Sequence, residues 1–451
     1  GKVTQEAIAR GIILNPNLNR VICLATTADD NNNYGRPTSW SSAIDQDLYV
    51  LSKVNGLNIL LLVSSGNVPL NSRINFPYGN AYRFRIQDPS QSFNAITVGS
   101  YTAKDTIDFV QHPEANVLAA VGEMSPSNTT SVDWDSEWCR KPDIVMEGGN
   151  DAIQAGGILD LESLQLLTTN KGGLNKPWLT TINGTSAATA LASKFAATLY
   201  SFYPEYWPET IRALMIHSAE WTPQMLQNRQ LNEIQQSEYR TLLTTVGYGV
   251  PNLEKAQYTA NNALTIVAER ILTPFKLEEN KVKTNNFHLF DLPWPSEVLQ
   301  NLGNTTVKLK ITLSYYIEPN PGSRQYEQAA SYKSLGLRFK IIDSNEGVEA
   351  FKARVSKNMR DSEYAAEGGE HWIIGPNNRD KGSIHKDIWI GTSADLATRN
   401  KIAVHPVGGW WKFRKILAKH DEQVRYSLVV SIETENSELD ILTPILNVLE
   451  V

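Results

Sequence analysis

Short, uninterrupted apolar runs alternate with stretches of helical periodicity between Gly1 and Leu272. A strand that is apolar on both faces must be covered on both sides, as in a parallel sheet flanked by helices. The alanine-rich stretch Thr185–Ser201 predicts a closely packed helix, and a second helix is predicted to begin near Pro208. The pattern therefore predicts an α/β fold with a mostly parallel sheet. The predicted buried strands are Val21–Leu24, Ile59–Val63, Ala95–Val98, Val117–Val121 and Ile144–Met146.

The hydrophobic period changes in the rest of the chain. Apolar and polar residues alternate along Val307–Leu313 and again along Val424–Ile432. A period of two indicates strands with one buried face, which is typical of an antiparallel sheet in a sandwich. Turn-forming sequences at Glu318–Gly322 and Pro376–Asn378 separate strands, and one inserted helix is predicted around Gly347–Asn358. We therefore predict two domains, an α/β domain over residues 1–272 and an all-β, sandwich-like domain over residues 273–451.

Composition excludes several classes of function. The net charge is −6 and no Lys/Arg cluster occurs, so we predict no nucleic-acid partner. The longest apolar runs, such as Ile59–Val63, fall far short of the roughly 20 residues that span a bilayer, so we predict no membrane segment. Cys23 and Cys139 are too few for a disulfide framework and are not spaced as metal ligands. We predict a cytoplasmic protein with no cofactor and no metal site.

Two polar residues next to apolar elements are candidates for chemistry. Ser186 lies in Asn183-Gly-Thr-Ser-Ala-Ala188, just before the alanine-rich helix. Such a serine is either a simple helix start or a nucleophile whose backbone N–H, at the positive end of the helix, donates to an oxyanion. Asn67 ends Ser64-Ser-Gly-Asn67, after an apolar strand. An Asn at this place is either a turn residue or a side-chain donor to the same oxyanion.

Six motifs in a fixed order resemble those of the subtilisin-like serine proteases. They extend over about 250 residues and include both candidates. In chain order they are Ser65-Gly-Asn67, Asn94–Ser100, Gly122–Pro126, Lys141–Val145 followed by Gly148-Gly149, Gly184–Ala188 and Val246–Val250.

This resemblance implies roles for particular residues. It makes Ser186 the nucleophile and Asn67 the side-chain donor of the oxyanion hole. It makes Ala25, Thr26 and Thr27 the strand that pairs with an extended substrate, a mode known as β-strand addition. Opposite them, Ser64, Ser65 and Gly66 would form the second wall of the pocket for the substrate side chain. Ala25-Thr-Thr27 replaces the Ser-Leu-Gly usual in the family, which leaves the shape of that pocket open.

The chain departs from the family in lacking its Asp-Thr-Gly and Gly-His-Gly-Thr motifs, which precede the strand that corresponds to Val21–Leu24. A serine without a general base is a poor nucleophile. We therefore expect a sheet incomplete at its N-terminal side, a chain inactive alone, and an upstream N-terminal fragment as the partner that carries Asp and His. The histidines present have other sequence contexts: His112, His217, His288, His371, His385, His405 and His420.

The C-terminal region is similar to the tail of bacterial intracellular subtilases encoded beside an AAA-type ATPase. Leu292–Pro295 leading into Thr312–Gly322 carries this likeness, which implies an AAA-type ATPase as a further partner. The tryptophans of Gly408–Lys412 form either a binding platform or part of a core. Two functions follow from the sequence: a serine endopeptidase acting on protein or peptide substrates, or a catalytically inactive interaction protein with the same fold.

Overall fold

The computed structural model describes residues 1–29, 33–54, 57–77, 83–173, 177–261, 265–292, 294, 296–322, 328–361 and 371–434. Contacts between Cα atoms divide the chain into two units. The first comprises Gly1–Pro204 and Ala219–Asn252, and the second comprises the described residues of Glu205–Ser218 and Leu253–Val451. The domain boundary after residue 272 stays a prediction. Pro293 and Pro295 of the tail motif, and residues 435–451, lie outside the described residues.

The α-helices are distributed over both units, and short 3-10 turns occur at Leu70–Asn75, Glu162–Leu164, Leu231–Glu233 and Lys415–Leu417. In chain order the α-helices are α1 (Lys2–Leu14), α2 (Ser39–Ser52), α3 (Thr185–Phe202), α4 (Pro208–Ser218), α5 (Gln236–Thr245), α6 (Leu253–Asn261), α7 (Ser296–Asn301), α8 (Ala329–Tyr332), α9 (Val348–Asp361), α10 (Pro376–Arg379), α11 (Ser393–Thr398) and α12 (Trp410–Phe413).

The strands divide between the units at residue 252. Those of the first unit are β1 (Arg20–Leu24), β2 (Ile59–Ser64), β3 (Ile96–Tyr101), β4 (Asn116–Val117), β5 (Ile144–Glu147), β6 (Ala152–Gln154), β7 (Gly157–Leu159), β8 (Leu166–Thr169) and β9 (Leu179–Ile182). Those of the second are β10 (Thr265–Leu272), β11 (Phe275–Glu278), β12 (Lys281–Thr284), β13 (His288–Asp291), β14 (Thr306–Tyr315), β15 (Gly336–Ile341), β16 (Ile384–Thr392), β17 (Lys401–Val407) and β18 (Val424–Thr434).

A parallel sheet of order β1-β2-β3-β5 forms the centre of the first unit. Every residue of β2 is buried, as expected for a strand covered on both faces. Helix α3 packs against all four strands, and its small residues Ala188, Ala192 and Ala196 are fully buried, so the helix can approach the sheet closely. The predicted α/β fold with helices flanking a parallel sheet is confirmed.

One predicted strand of this sheet is wrong. Val117–Val121 contributes only the two-residue strand β4, which pairs antiparallel with β6 outside the central sheet. The chain then leaves strand geometry because Leu118 donates its backbone N–H to the carbonyl of Asp151, and Ala119 donates to the side chain of Asn150. These loop contacts replace pairing within the sheet, and the run is only partly buried, because Ala119 is buried whereas Ala120 and Val121 are exposed.

The second unit is rich in antiparallel strands, as predicted. One sheet has the order β10-β18-β14-β16 and another the order β13-β17-β15. The apolar face of β14 is buried, but Lys310 and Thr312 on its other face are buried too. The reason is that α4 packs on that face, where His217 forms hydrogen bonds with Thr312 and Ser431. The alternating pattern predicted a strand with one buried face, whereas both faces of β14 are covered.

Two further expectations are settled in this unit. Residues Pro376–Asn378 separate β15 from β16 as predicted, but they do so as the start of the short helix α10 and not as a turn. The predicted inserted helix is present as α9. Trp410 and Trp411 are buried, and their indole N–H groups donate to Glu318, so they belong to the core.

Among the described helices of the chain, none combines the length and apolarity that crossing a membrane requires.

Candidate active site

Ser186 is the second residue of α3, and Gly184 precedes the helix as its N-cap. Gly184 has a φ of 104°, a conformation that L-residues rarely adopt. A Cβ atom on Gly184 would also lie 2.7 Å from Oδ1 of Asn67. Two independent requirements thus select glycine here, and they hold Ser186 at the helix N-terminus, where the macrodipole favours negative charge.

The side chain of Asn67 is held against this turn. Its Oδ1 accepts a hydrogen bond of 2.8 Å from the backbone N–H of Thr185. The Thr185 hydroxyl donates to the carbonyl of Gly66 at 2.9 Å and lies 3.2 Å from the same Oδ1. Because Oδ1 faces an N–H donor, the amide orientation is defined and Nδ2 is left as the donating end. The two predicted catalytic residues are therefore brought together through Thr185.

Ser186 Oγ also contacts the predicted substrate strand, because it donates to the carbonyl of Ala25 at 3.3 Å. In the part of the chain that the structure describes, no hydrogen bond joins this oxygen to an ionisable side chain. A backbone carbonyl accepts the hydroxyl proton in a hydrogen bond but does not remove it. The serine as seen here is thus positioned and not activated.

Backbone hydrogen bonds hold the two predicted walls of the substrate pocket, Ala25–Thr27 and Ser64–Gly66, against one further segment. Ala25 and Thr26 are exposed after β1, and Ala28 then forms two backbone hydrogen bonds with Asp88, of 2.8 and 3.1 Å. On the opposite wall, Ser65 is buried, and its carbonyl accepts from the backbone N–H of Gln87 at 2.9 Å. The segment that contains Gln87 and Asp88 therefore connects both walls.

Gln87 was missed by reasoning from the sequence. Its Oε1 accepts a hydrogen bond of 2.6 Å from the hydroxyl of Thr27, on the first wall. Gly66, on the second wall, has a φ of 96°, and a Cβ there would lie within 2.6 Å of three side-chain atoms of Gln87. No local motif marks Gln87, because its importance comes from partners that are distant in the chain.

A cavity of about 240 Å³ adjoins Asn67 and Gln87. Its lining mixes apolar and charged groups and includes Pro69, Arg83, Phe84 and Thr129. Thr129 supports the second wall as well, because its hydroxyl donates to the carbonyl of Ser65 at 2.8 Å. The cavity is large enough to hold a side chain.

Arg73 and Asp151, also missed in the sequence, connect the loop after Asn67 with the turn before Ser186. Arg73 Nε donates to the carbonyl of Val68 at 2.9 Å, and its Nη1 lies 3.0 Å from Oδ2 of Asp151. Asn183 donates to the other carboxylate oxygen of Asp151 at 3.2 Å. Burial raises the pKa of the Asp151 carboxyl, and the Arg73 guanidinium opposes that rise.

Among the described residues, no histidine forms a hydrogen bond with Ser186 Oγ, whose partner is the carbonyl of Ala25. His112, the histidine of the first unit, lies in a loop where its backbone N–H donates to the carbonyl of Asp108. In the second unit, His217, His385 and His405 are fully buried, and desolvation lowers the pKa of each imidazole. These three side chains are parts of a core and not of a catalytic site.

Comparison with solved structures gives distant similarities. MycP1 from Mycobacterium smegmatis shows 16% sequence identity and a TM-score of 0.23, with 45% of this chain and 42% of that chain covered. MycP1 from the ESX-1 type VII secretion system shows 18% identity and a TM-score of 0.23, with coverage of 45% and 43%. The chain thus spans less than half of either structure.

No curated protein matches the sequence. The model of the Subtilase family (peptidase S8) matches residues 1–249, which is more than half of the 451-residue chain. That match includes five of the six motifs in full, the sixth as far as Gly249, and the turn that holds Asn67 next to Ser186. The chain therefore belongs to the subtilase family.

Proposed function

We propose that this chain carries the nucleophile and the oxyanion hole of a serine endopeptidase, which hydrolyses peptide bonds through an acyl-enzyme on Ser186. The observation that carries the proposal is the 2.8 Å hydrogen bond from the Thr185 N–H to Oδ1 of Asn67. It fixes a side-chain amide beside the residue that precedes the serine. Nδ2 of Asn67 and the backbone N–H of Ser186 then form a pair of donors for one developing oxyanion.

The chemistry assigned to this pair is acyl transfer. Ser186 Oγ attacks the carbonyl carbon of the scissile peptide, and the carbonyl oxygen gains negative charge. The Oγ proton passes to a base and then to the leaving amine, and water later hydrolyses the ester on Ser186. Preorganised donors stabilise the charged intermediate, and the loss of one such donor typically slows the reaction by about 10² to 10³.

A His–Asp pair from a segment upstream of this chain is proposed to supply the base. Among the described strands, β1 pairs with β2 alone, and its residue Cys23 is exposed. In a parallel sheet the carboxyl ends of neighbouring strands meet at the same edge. A further parallel strand added to β1 would therefore end beside Ala25, the residue whose carbonyl contacts Ser186 Oγ.

The proposed substrate is an extended protein or peptide chain. It would lie along Ala25–Thr27, two of whose three residues are exposed, with its side chain directed between this strand and Ser64–Gly66. Backbone pairing of this kind recognises extended chains of many sequences, so selectivity must come from the pocket for the side chain.

Labelling with a fluorophosphonate probe tests the proposal. The full-length gene product and this chain alone are each incubated with the probe, and adducts are mapped by mass spectrometry. We expect an adduct at Ser186 in the full-length product only, and none after Ser186→Ala. Ser193→Ala is a matched control on the same helix, because the Ser193 hydroxyl donates to the carbonyl of Thr189 within α3.

The absence of an adduct from every sample would favour the alternative, an inactive interaction protein with a subtilase fold. The observation consistent with this alternative is that the Ser186 hydroxyl donates a hydrogen bond to the backbone carbonyl of Ala25 and not to a base. An AAA-type ATPase partner and a cytoplasmic location remain further proposals that rest on the sequence. Co-purification of the tagged full-length product from its native host, with and without ATP, tests the first of these two.

A further inference from the structure

We propose that Gln87 is a specificity-determining residue that limits the substrate side chain before the scissile bond to the size of Gly, Ala or Ser. This inference rests on the proposed function, because it concerns the pocket of the same site. The sequence motifs do not include Gln87, and its role follows from the space that its side chain occupies.

The Gln87 side chain lies between the two pocket walls. At one end its Oε1 accepts the 2.6 Å hydrogen bond from Thr27. Along its length it packs against Gly66 so closely that a Cβ on Gly66 would meet Cγ, Cδ and Oε1 at 2.6, 2.5 and 2.4 Å. A long substrate side chain directed between Thr27 and Gly66 would therefore meet the Gln87 amide.

The backbone of Gln87 is not free to withdraw. Its own N–H donates to the carbonyl of Ser65, and the next residue, Asp88, forms two hydrogen bonds with Ala28. Both walls thus hold the segment in place. A larger substrate side chain has room only if the Gln87 side chain rotates, which breaks its hydrogen bond with Thr27.

The cavity of about 240 Å³ determines what replacement of Gln87 should do. Gln87 lines this cavity together with Phe84 and Pro69, which offer apolar surface to a substrate side chain, while Asp29, Arg83 and Arg85 add charged groups to the lining. If Gln87 is shortened to glycine, the gap between the walls opens toward the cavity. The variant should then accept large side chains that the wild-type protein excludes.

The test uses two peptidyl diphenyl phosphonates that differ only in the side chain at the attacked position, Ala or Phe. Rates of irreversible modification of Ser186 are measured on the full-length gene product. We expect wild type to react at least about 10-fold faster with the Ala probe, as one pocket typically discriminates by 10-fold or more. Gln87→Gly should raise the Phe/Ala rate ratio by at least about 10-fold.

Two further variants serve as a second test of the hydrogen bond and as a control. Thr27→Val removes the donor that holds Oε1 without enlarging the pocket, so it should raise the Phe/Ala ratio in the same direction but less. Gln111→Gly, at an exposed loop position, is the matched control and should leave the ratio unchanged. If Gln87→Gly does not fold, Thr27→Val still reports on the hydrogen bond.

The outcomes separate this inference from the proposed function. A wild-type protein that labels with the fluorophosphonate but reacts equally fast with both peptidyl probes overturns the role of Gln87 and leaves the peptidase proposal intact. A ratio unchanged in both Gln87→Gly and Thr27→Val does the same. Absence of any fluorophosphonate adduct in the full-length product overturns both proposals.

Discussion

Arg73 and Asp151 form an ion pair whose side chains are only 8% and 1% exposed, with 3.0 Å between Nη1 and Oδ2. The pair links the loop that follows Asn67 to Asn183, just before Gly184. Two charges removed from water are stable only when paired and hydrogen-bonded, and this pair meets both conditions. The ion pair thus links the loop that carries Asn67 to the turn that precedes Ser186.

Removal of one member of this pair should destabilise the protein strongly. Asp151→Ala leaves the Arg73 guanidinium buried without its counter-charge, which typically costs about 3–5 kcal/mol. The free energy of unfolding from urea titrations measures this loss. Arg36→Ala is the matched control, because Arg36 and Asp135 are paired at 3.4 Å with side chains 53% and 54% exposed. That surface pair should contribute less than about 1 kcal/mol, so equal losses in the two variants would contradict the prediction.

Gly184→Ala should disrupt the turn before Ser186. The backbone at this position has a φ of 104°, which alanine rarely adopts, and the new Cβ would lie 2.7 Å from Oδ1 of Asn67. The turn or the Asn67 amide must therefore shift. We expect a loss of about 1–3 kcal/mol of stability and a large decrease in fluorophosphonate labelling of the full-length product. Gly156→Ala provides the control, because Gly156 has a φ of 75° but no atom within 4 Å of the added Cβ. Similar labelling of the two variants would show that the contact with Asn67 is unimportant.

Several features of this architecture were predictable from local sequence, and others were not. The strand β2 was predictable because an unbroken apolar run must be buried on both faces, and Ile59–Val63 proved to be its core. The same reasoning failed at Val117–Val121, because an apolar run need not be buried, and its last two residues, Ala120 and Val121, are exposed in a loop. The meeting of Asn67 with the turn before Ser186 was predictable only through the order of the family motifs.

Long-range contacts account for what the sequence did not reveal. Thr27 and Gln87 are 60 residues apart, and Arg73 and Asp151 are 78 apart, so no period or short motif connects the members of either pair. In the second unit, His217 meets Thr312 across 95 residues. That contact explains why the polar face of β14 is buried although its alternating pattern is typical of a solvent-exposed face.

Asn67→Ala should lower peptidase activity of the full-length product by more than its loss of stability explains, although it also removes the acceptor of the Thr185 N–H. The substitution removes Nδ2, one of two proposed donors to the oxyanion, and should reduce kcat/KM by about 10² to 10³. Hydrolysis of a peptide substrate measures the effect. Asn75→Ala, at an exposed position at the end of the following 3-10 turn, is the control and should retain wild-type activity. A decrease below about 10-fold for Asn67→Ala would contradict its role in the oxyanion hole.

The buried histidines of the second unit should make its stability depend on pH. The pKa of His385 and that of His405 are each lowered to about 3, mainly by burial and with a smaller contribution from the charge of Arg338. In the unfolded chain each imidazole titrates near a pKa of about 6.5, so acid favours unfolding. The stability is fully present above about pH 6.5 and is lost by about 1.4 kcal/mol per histidine for each pH unit below it, down to the folded pKa.

Urea titrations at several pH values between 7.5 and 4.5, followed by tryptophan fluorescence, measure this dependence. His405→Leu removes one of these buried imidazoles, so the loss of stability per pH unit should decrease by about 1.4 kcal/mol relative to wild type. The comparison concerns slopes, so it holds even if the substitution also changes stability at neutral pH. His112→Leu, in a loop of the first unit, serves as the matched control. A slope for His405→Leu equal to that of wild type would mean that His405 keeps an ordinary affinity for protons in the folded protein.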